Sequence, residues 1–362
     1  MSKISLTDIL YSHGSCSLKT VKMVDYLGGS LIAIVLPKQK SVLTIHQPVQ
    51  RVLIIRPGGI GDAVFLLPIL KLLTEQGISF DILCESRNRE VFSSQGYNVY
   101  LYDQWGSFCQ IFRQKYDAVI DTEQWHYLSA VAAYAVKTDC RIGFATRPWR
   151  SRLLNKPVIY DENEYELSSF YRLFEGILRP VNKPVTINRS LTVSDELKRW
   201  ALGQVPEQSV AISLGGSIRL KRFSLEQLRA IISDVLAKGW LPVLLGGQEA
   251  VREAQQLMLE FDHSHIINFV GRLSLPESVA IVDRCQRLIS TDTGLMHLGC
   301  AVGRPVTAFF SCGNMNKWKP QGEEHKVVSR HVSCAPCARF GYTIPVCGGT
   351  FHCMQLKGIP ID

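Results

Sequence analysis

Short apolar runs and stretches of helical periodicity alternate along most of this chain, and the alternation becomes regular at Arg51. Val52, Leu53, Ile54 and Ile55 form a β-branched-rich run closed by Pro57-Gly58-Gly59-Ile60-Gly61, the pattern of a fully buried strand ending in a tight turn. From about Asp62 the period changes, and Phe65, Leu66, Ile69, Leu70 and Leu73 predict one broad inner helix face. Further strands are predicted over residues 79–83, 99–102, 116–120 and 141–144, with helices opening near 86 and spanning 127–136 and 164–178. A helix over 191–203 leads into a second series, with strands at 210–214, 241–245, 266–269 and 288–290 and a helix over 224–238 headed by Ser224. This rhythm predicts an α/β protein with two Rossmann-like domains, each built on a parallel sheet and facing a shared cleft.

The domain reading that follows is an N-terminal extension over 1–50, a first domain over 51–187, a second over 188–333 and a cysteine-rich segment over 334–362. Two short runs, 31–36 and 42–45, flank Pro37-Lys38-Gln39-Lys40 and predict a small β-hairpin in the extension. At 362 residues, two domains of ordinary size are expected. A hydrophobic fraction of 46% with 20% charged residues excludes a disordered chain. No apolar stretch reaches the roughly 18 to 20 residues that cross a bilayer, and no secretory leader is visible, so a cytoplasmic location is expected.

The formal charge of +8 points to anionic partners, but no nucleic-acid motif accompanies the dispersed basic residues. Nucleic acid is therefore not expected. Phosphorylated small molecules, or lipids at a membrane surface, fit better.

Candidate chemistry gathers at two strand-to-helix turns. Asp62 stands where the first glycine loop becomes a helix; it suits an N-cap, and equally a carboxylate displayed at the carboxyl edge of a parallel sheet. The loop matches neither G-x-G-x-x-G nor the Walker pattern. In the second half, Asp292-Thr293-Gly294 joins a strand to a helix, where it can cap that helix or meet the hydroxyls and phosphate of a ligand. Lys221 and Arg222, just after Gly215-Gly216-Ser217, suit either a solvated surface pair or a phosphate clamp. Glu249, after Gly246-Gly247, is a helix-start residue or a hydroxyl acceptor. His297 fits a buried core position, and Asp121 and His126 fit structural polar positions near a cleft.

Of eleven cysteines, Cys16, Cys84, Cys109, Cys140, Cys285, Cys300 and Cys312 are scattered, whereas Cys334, Cys337, Cys347 and Cys353 are clustered. Four thiolates within twenty residues suit a structural zinc or iron ion, unliganded thiols, or disulfide or redox use.

Taken in order, these segments resemble the heptosyltransferases that build the inner core of bacterial lipopolysaccharide. Arg56-Pro57-Gly58-Gly59-Ile60-Gly61-Asp62 with Pro68 resembles the family's N-terminal signature, and Asp121 and Arg141-Ile142-Gly143-Phe144 fit its first domain. Gly215-Gly216-Ser217 through Lys221-Arg222-Phe223, Gly246-Gly247-Gln248-Glu249 and Asp292-Thr293-Gly294 with Met296-His297 are similar to its donor-side segments.

The resemblance implies a GT-B glycosyltransferase fold and an inverting transfer of heptose from an ADP-heptose-like donor to a lipopolysaccharide inner-core acceptor. It implies Asp62 as base and Gly59, Gly61 and Asp121 on the acceptor side. Ser217, Lys221, Arg222, Glu249, Asp292, Thr293, Gly294 and His297 would lie on the donor side. No catalytic metal is implied, the ADP-sugar being a substrate. A phosphorylated glycolipid or other glycan acceptor implies peripheral contact with the cytoplasmic face of the inner membrane. The family has a similar cysteine-rich tail, and its final helix often returns to the first domain. A nucleotide-sugar transferase modifying a protein or another glycan, and a non-catalytic sugar-nucleotide-binding assembly protein, remain the alternatives.

Overall fold

The structure is a computed structural model that describes residues 22–41, 48–182, 184–216, 218, 221–339, 342–343 and 352–354. The chain divides into two compact units between Thr186 and Ile187.

The first unit departs from expectation at its start. The run 31–36 is not a hairpin strand: a π-helical turn, Asp25–Gly29, continues directly into helix α1, Ser30–Val35. The reason lies in the small residues. Asp25, Gly29 and Ala33 recur every fourth position and are buried, a helical period that strand alternation would break. A Cβ on Gly29 would stand 2.9 Å from Cβ of Tyr127, so the helix approaches as closely as it does because that position is glycine. The other predicted strand of the hairpin, 42–45, lies outside the described residues.

Beyond the extension, six strands form one sheet: β1 (Arg51–Arg56), β2 (Ser79–Cys84), β3 (Val99–Leu101), β4 (Ala118–Asp121), β5 (Arg141–Phe144) and β6 (Lys156–Val158). All pairings are parallel, in the order β3-β2-β1-β4-β5-β6. Val52 to Ile55 of β1 are fully buried, as a strand covered on both faces requires. Helix α2 (Ile60–Glu75) is buried almost all round, which explains why its apolar residues exceed one stripe. Helices α3 (Tyr127–Ala135) and α4 (Pro148–Ser151) follow β4 and β5. The helix predicted over 164–178 is shorter, Glu166–Leu173.

In the second unit the strands are β7 (Ser209–Ser213), β8 (Leu241–Leu245), β9 (Ile267–Asn268), β10 (Arg287–Thr291), β11 (Val306–Phe310) and β12 (Lys326–Ser329), again wholly parallel and ordered β12-β11-β10-β7-β8-β9. Numbered from its own first strand, this sheet has the same order as the first. Ser194 caps a helix over Asp195–Gln204, which overlaps the predicted helix over 191–203 and starts later. Helix α5 (Leu225–Ala237) carries a capping box between Ser224 and Gln227, so the cap expected at Ser224 is present. Helix α6 (Gly294–Ala301) follows β10.

In each sheet the first and fourth strands are neighbours whose connections leave in opposite directions. Such a switch point opens a crevice at the carboxyl edge, and the crevice is where doubly wound sheets hold ligands. It falls beside the loops after β1 and β4 in one unit and after β7 and β10 in the other. No helix among the described residues is long and apolar enough to cross a membrane.

The described part of the cysteine-rich tail makes hydrogen bonds within the second unit. Met354 O accepts from Gln227 Nε2 at 2.5 Å, and Cys337 N donates to Cys312 O at 3.1 Å. Residues 355–362 lie outside the described residues.

Candidate functional site

In the first unit the residue that organises the switch point is Arg56, at the end of β1 and 1% exposed. Its Nε donates to Pro57 O at 2.8 Å, Nη1 to Thr122 O at 2.9 Å and Nη2 to Glu123 Oε2 at 2.7 Å. Burial works against this cation. Glu123, Asp62, Glu166 and Asp121 together outweigh it and raise the Arg56 pKa. Burial likewise opposes the Glu123 carboxylate, but Arg56, His126 and the Trp125 amide hold its pKa below the ordinary range. The loop is thereby fixed around a charge network that cannot easily reorganise.

Gly58 turns at φ +112°, and a Cβ there would meet Arg56 Nη2 at 3.0 Å, so both backbone and space require glycine. Gly59, not Asp62, is the N-cap of α2, and Gly61 lies in its first turn. Asp62 therefore sits in that turn as well, where the positive end of the helix dipole favours a carboxylate. Its Oδ2 is 3.9 Å from Arg56 Nη2 and the side chain is 28% exposed, leaving it the partly open acid of the group.

Asp121 proves to lie beneath the surface and is fully buried. One carboxylate oxygen accepts from Glu123 N at 3.1 Å, while the other accepts from Ser129 Oγ at 3.0 Å and forms an ion pair with Arg150 Nη2. Burial is the larger influence and pushes its pKa up to about 6, with Arg150 opposing. Asp121 thus braces the loop and offers no open face to an acceptor. The basic run 147–152 is correspondingly less of a surface patch than its composition predicts: Arg150 is buried, and the Arg147 guanidinium lies 4.6 Å from the Trp125 ring centroid and 5.1 Å from those of Tyr26 and Tyr127. Asp25, from the N-terminal segment, accepts from Tyr127 N at 3.1 Å and Leu128 N at 2.8 Å and meets His126 Nδ1 at 3.1 Å. It supplies the first turn of α3 with the acceptor that a local cap would otherwise provide.

At the second switch point, Lys221 Nζ contacts Asp292 Oδ2 at 2.5 Å, and both side chains are largely buried. Lys221 also lies 5.7 Å from the Trp318 ring centroid. A Cβ on Gly313 would stand 2.1 Å from Asp292 Oδ2, so the ion pair excludes any side chain there. Glu249 Oε1 accepts from Gly216 N at 3.0 Å, and Arg222 braces the same loop through Gly216 O at 2.7 Å and Glu249 O at 3.1 Å. Arg222 is thus aimed at backbone carbonyls as much as at any ligand. Ser217 lies outside the described residues.

Thr293 is the N-cap of α6 by backbone position, but its side chain makes no capping bond; Oγ1 lies 3.2 Å from Ser290 Oγ. The first-turn amides, beginning at Gly294, thereby lack a side-chain cap, as an anion site at a helix start requires. His297 is buried beneath them, and burial lowers its pKa to about 4 against the pull of Asp292, so the imidazole is neutral at pH 7.

Asp62, Lys221, Glu249, Asp292 and Thr293, expected from the sequence, all lie at the two carboxyl edges; Arg56 is expected there only as part of the N-terminal signature, and Glu123, Arg150 and Gly313 are given no role by the sequence. The available signal for Arg56 is a charge closing an otherwise apolar run, whereas Arg150 stands among other basic residues and has no such signal. Cys312, read as scattered, is the thiol partner of Cys337: a hydrogen bond from Cys337 and the nearby Lys221 bring its pKa down to about 6, while the Cys337 thiol is pushed up. Among the described residues no group of three or more His, Cys, Asp or Glu side chains is arranged to hold a metal ion, and Cys347 lies outside them.

A model of "Glycosyltransferase family 9 (heptosyltransferase)" matches residues 105–344, two thirds of the chain and parts of both units. The chain belongs to glycosyltransferase family 9. Among curated relatives of this family 9 member, lipooligosaccharide heptosyltransferase 2 of Haemophilus influenzae is 28% identical over 79 residues, 21% of this chain and 23% of that protein. The chain thus aligns with about a quarter of that relative's length. The solved structure of E. coli ADP-heptose lipopolysaccharide heptosyltransferase II matches with a TM-score of 0.67 at 18% identity, covering 79% of this chain and 92% of that one. E. coli heptosyltransferase WaaC with ADP-2-deoxy-2-fluoro heptose matches with a TM-score of 0.63 at 19% identity, covering 77% and 92%. These likenesses establish the family 9 fold, the GT-B arrangement of two Rossmann-like units.

Proposed function

We propose that this family 9 member is an inverting glycosyltransferase that moves a heptose from an ADP-heptose-type donor to a phosphorylated inner-core glycan of lipopolysaccharide. The observation that carries the reading is the pairing of two differently equipped switch points in one family 9 chain: a partly open carboxylate, Asp62, at the first, and Lys221 with an uncapped helix start at the second.

In this reading Asp62 accepts the proton of the acceptor hydroxyl as that oxygen attacks the anomeric carbon. The sugar-to-phosphate bond breaks on the opposite face, so a single displacement inverts the centre. Arg56, locked by its carboxylates, orients Asp62 without competing for the proton. Lys221 and the first-turn amides of α6 meet the negative charge that grows on the departing diphosphate. Asp292 and Glu249 offer acceptors to donor hydroxyls, Thr293 and Gly294 border the diphosphate, and neutral His297 supports the loop from below. Gly59 and Gly61 let the acceptor approach the backbone of the first loop. The acceptor, being lipid-linked, would be met at the cytoplasmic face of the inner membrane. The names of the curated and structural relatives support the donor class.

The test is a screen of ADP-sugar donors against inner-core glycans, read by product mass. A product heavier by one heptose, lost in Asp62→Asn with donor binding retained, is expected. A hexose increment, or a labelled protein acceptor, would replace the substrate assignment. Tight donor binding without turnover across all acceptors would favour a binding protein instead.

A further inference from the structure

We infer that the outer face of the N-terminal helical segment is a docking surface for an anionic lipid bilayer, with residues 24–35 lying flat among the headgroups. The purpose of this surface rests on the transferase reading, because a lipid-linked acceptor must be met at a membrane; the surface itself stands on separate observations.

The inner side of the segment is engaged, and its outer side is apolar and exposed. Its inner face is fixed by Asp25 against the start of α3, by Gly29 against Tyr127, and by Ala33, fully buried in a cluster with Tyr127, Ala130 and Leu153. This anchoring leaves Val24, Leu27, Leu31, Ile32, Ile34 and Val35 exposed, with Leu31 at 64% and Val35 at 82%. Single exposed aliphatics are ordinary on a protein surface; six within twelve residues of one element make a patch.

The surroundings select the occupant. Lys38 and Lys40 are exposed just beyond the helix, and no acidic residue occurs between Tyr26 and Ser41. On the adjacent α4, Trp149 is exposed with the Arg152 guanidinium 5.5 Å from its ring centroid, and Arg152 Nη1 donates to Ile34 O at 3.2 Å. An aliphatic centre rimmed by a tryptophan and cations is the order of a helix lying in a membrane interface. Protein-binding centres are instead enriched in Trp, Tyr and Arg. The described turns, residues 22–35, extend about 21 Å at helical rise, short of the roughly 30 Å hydrocarbon core, which suits a segment lying in the plane.

Flotation of the full chain with vesicles tests this. Wild type should float with phosphatidylglycerol/phosphatidylethanolamine vesicles and weakly or not at all with phosphatidylcholine. The double variant Leu31→Glu/Val35→Glu should lose at least tenfold in partitioning while keeping its melting temperature, because both positions face outward. Lys38→Gln/Lys40→Gln should lose about tenfold on anionic vesicles only. The inference is overturned if wild type does not float, if the double glutamate variant floats like wild type, or if sedimentation shows a dimer of the chain that this variant dissociates. Donor titration without vesicles separates the two readings: loss of donor binding with flotation intact would remove the transferase assignment and leave the surface.

Discussion

At the carboxyl edge of the first sheet the charges are interlocked. Arg56 and Arg150 are buried, each divided among several carbonyl and carboxylate oxygens, and Asp62 retains partial exposure. The equivalent edge of the second sheet carries the pair of Lys221 and Asp292, Arg222, Glu249 and several glycines, with the helix start above left without a side-chain cap. The two sheets share a strand order, so the difference belongs to the loops. In the proposed reaction one scaffold supplies a rigidly held acid in one copy and, in the other, a cation whose aspartate partner an incoming diphosphate would displace or share.

Breaking each half should therefore fail differently. Asp62→Asn is expected to lower transfer about 10² to 10⁴-fold with donor affinity unchanged. Lys221→Met should lower kcat by about 10² to 10³-fold and weaken donor binding too, read by steady-state kinetics and donor titration. If both variants lost donor binding equally, the division of labour between the halves would be wrong.

A pH series sharpens the same contrast. His297 has its pKa lowered to about 4 in the folded protein, below the ordinary value near 6.5. The unfolded chain therefore binds its proton first, so the stabilisation is complete above pH 6.5 and is lost as pH falls toward 4. The loss amounts to about 3 kcal/mol. His297→Gln should flatten that limb of a denaturation series, whereas an unchanged slope would remove His297 as its cause. The smallest effect is expected from Asp25→Ala, which should cost about 1 to 2 kcal/mol in chemical denaturation by uncapping α3.

Much of the scaffold is legible in the chain because buried parallel strands must be short, apolar and ended by turn residues; β1, β8 and β10 all meet that description. Val306–Phe310 is as apolar, yet it follows α6 so closely that periodicity does not separate strand from helix, and β12 is a half-exposed edge with little pattern at all. Neither is read from the sequence. The site divides along the same line. Asp62, Lys221 and Asp292 follow strands and glycines, which mark them locally. Asp121 is found at the end of its strand, but its sealing by Arg150 depends on a contact 29 residues away. The Arg56 to Glu123 pair, the meeting of Cys312 with Cys337 and the packing of Gly29 on Tyr127 likewise exist only after folding.

The carboxylate of Asp25 reaches two amides more than a hundred residues downstream. During synthesis it leaves the ribosome long before α3 exists, then waits unmatched until β1 to β4 have brought their edge into place. A shortened chain starting at residue 48 would keep every strand of the first sheet and still lack the group that finishes one of its helices. Shortening at that end is therefore an operation on the interior of the fold.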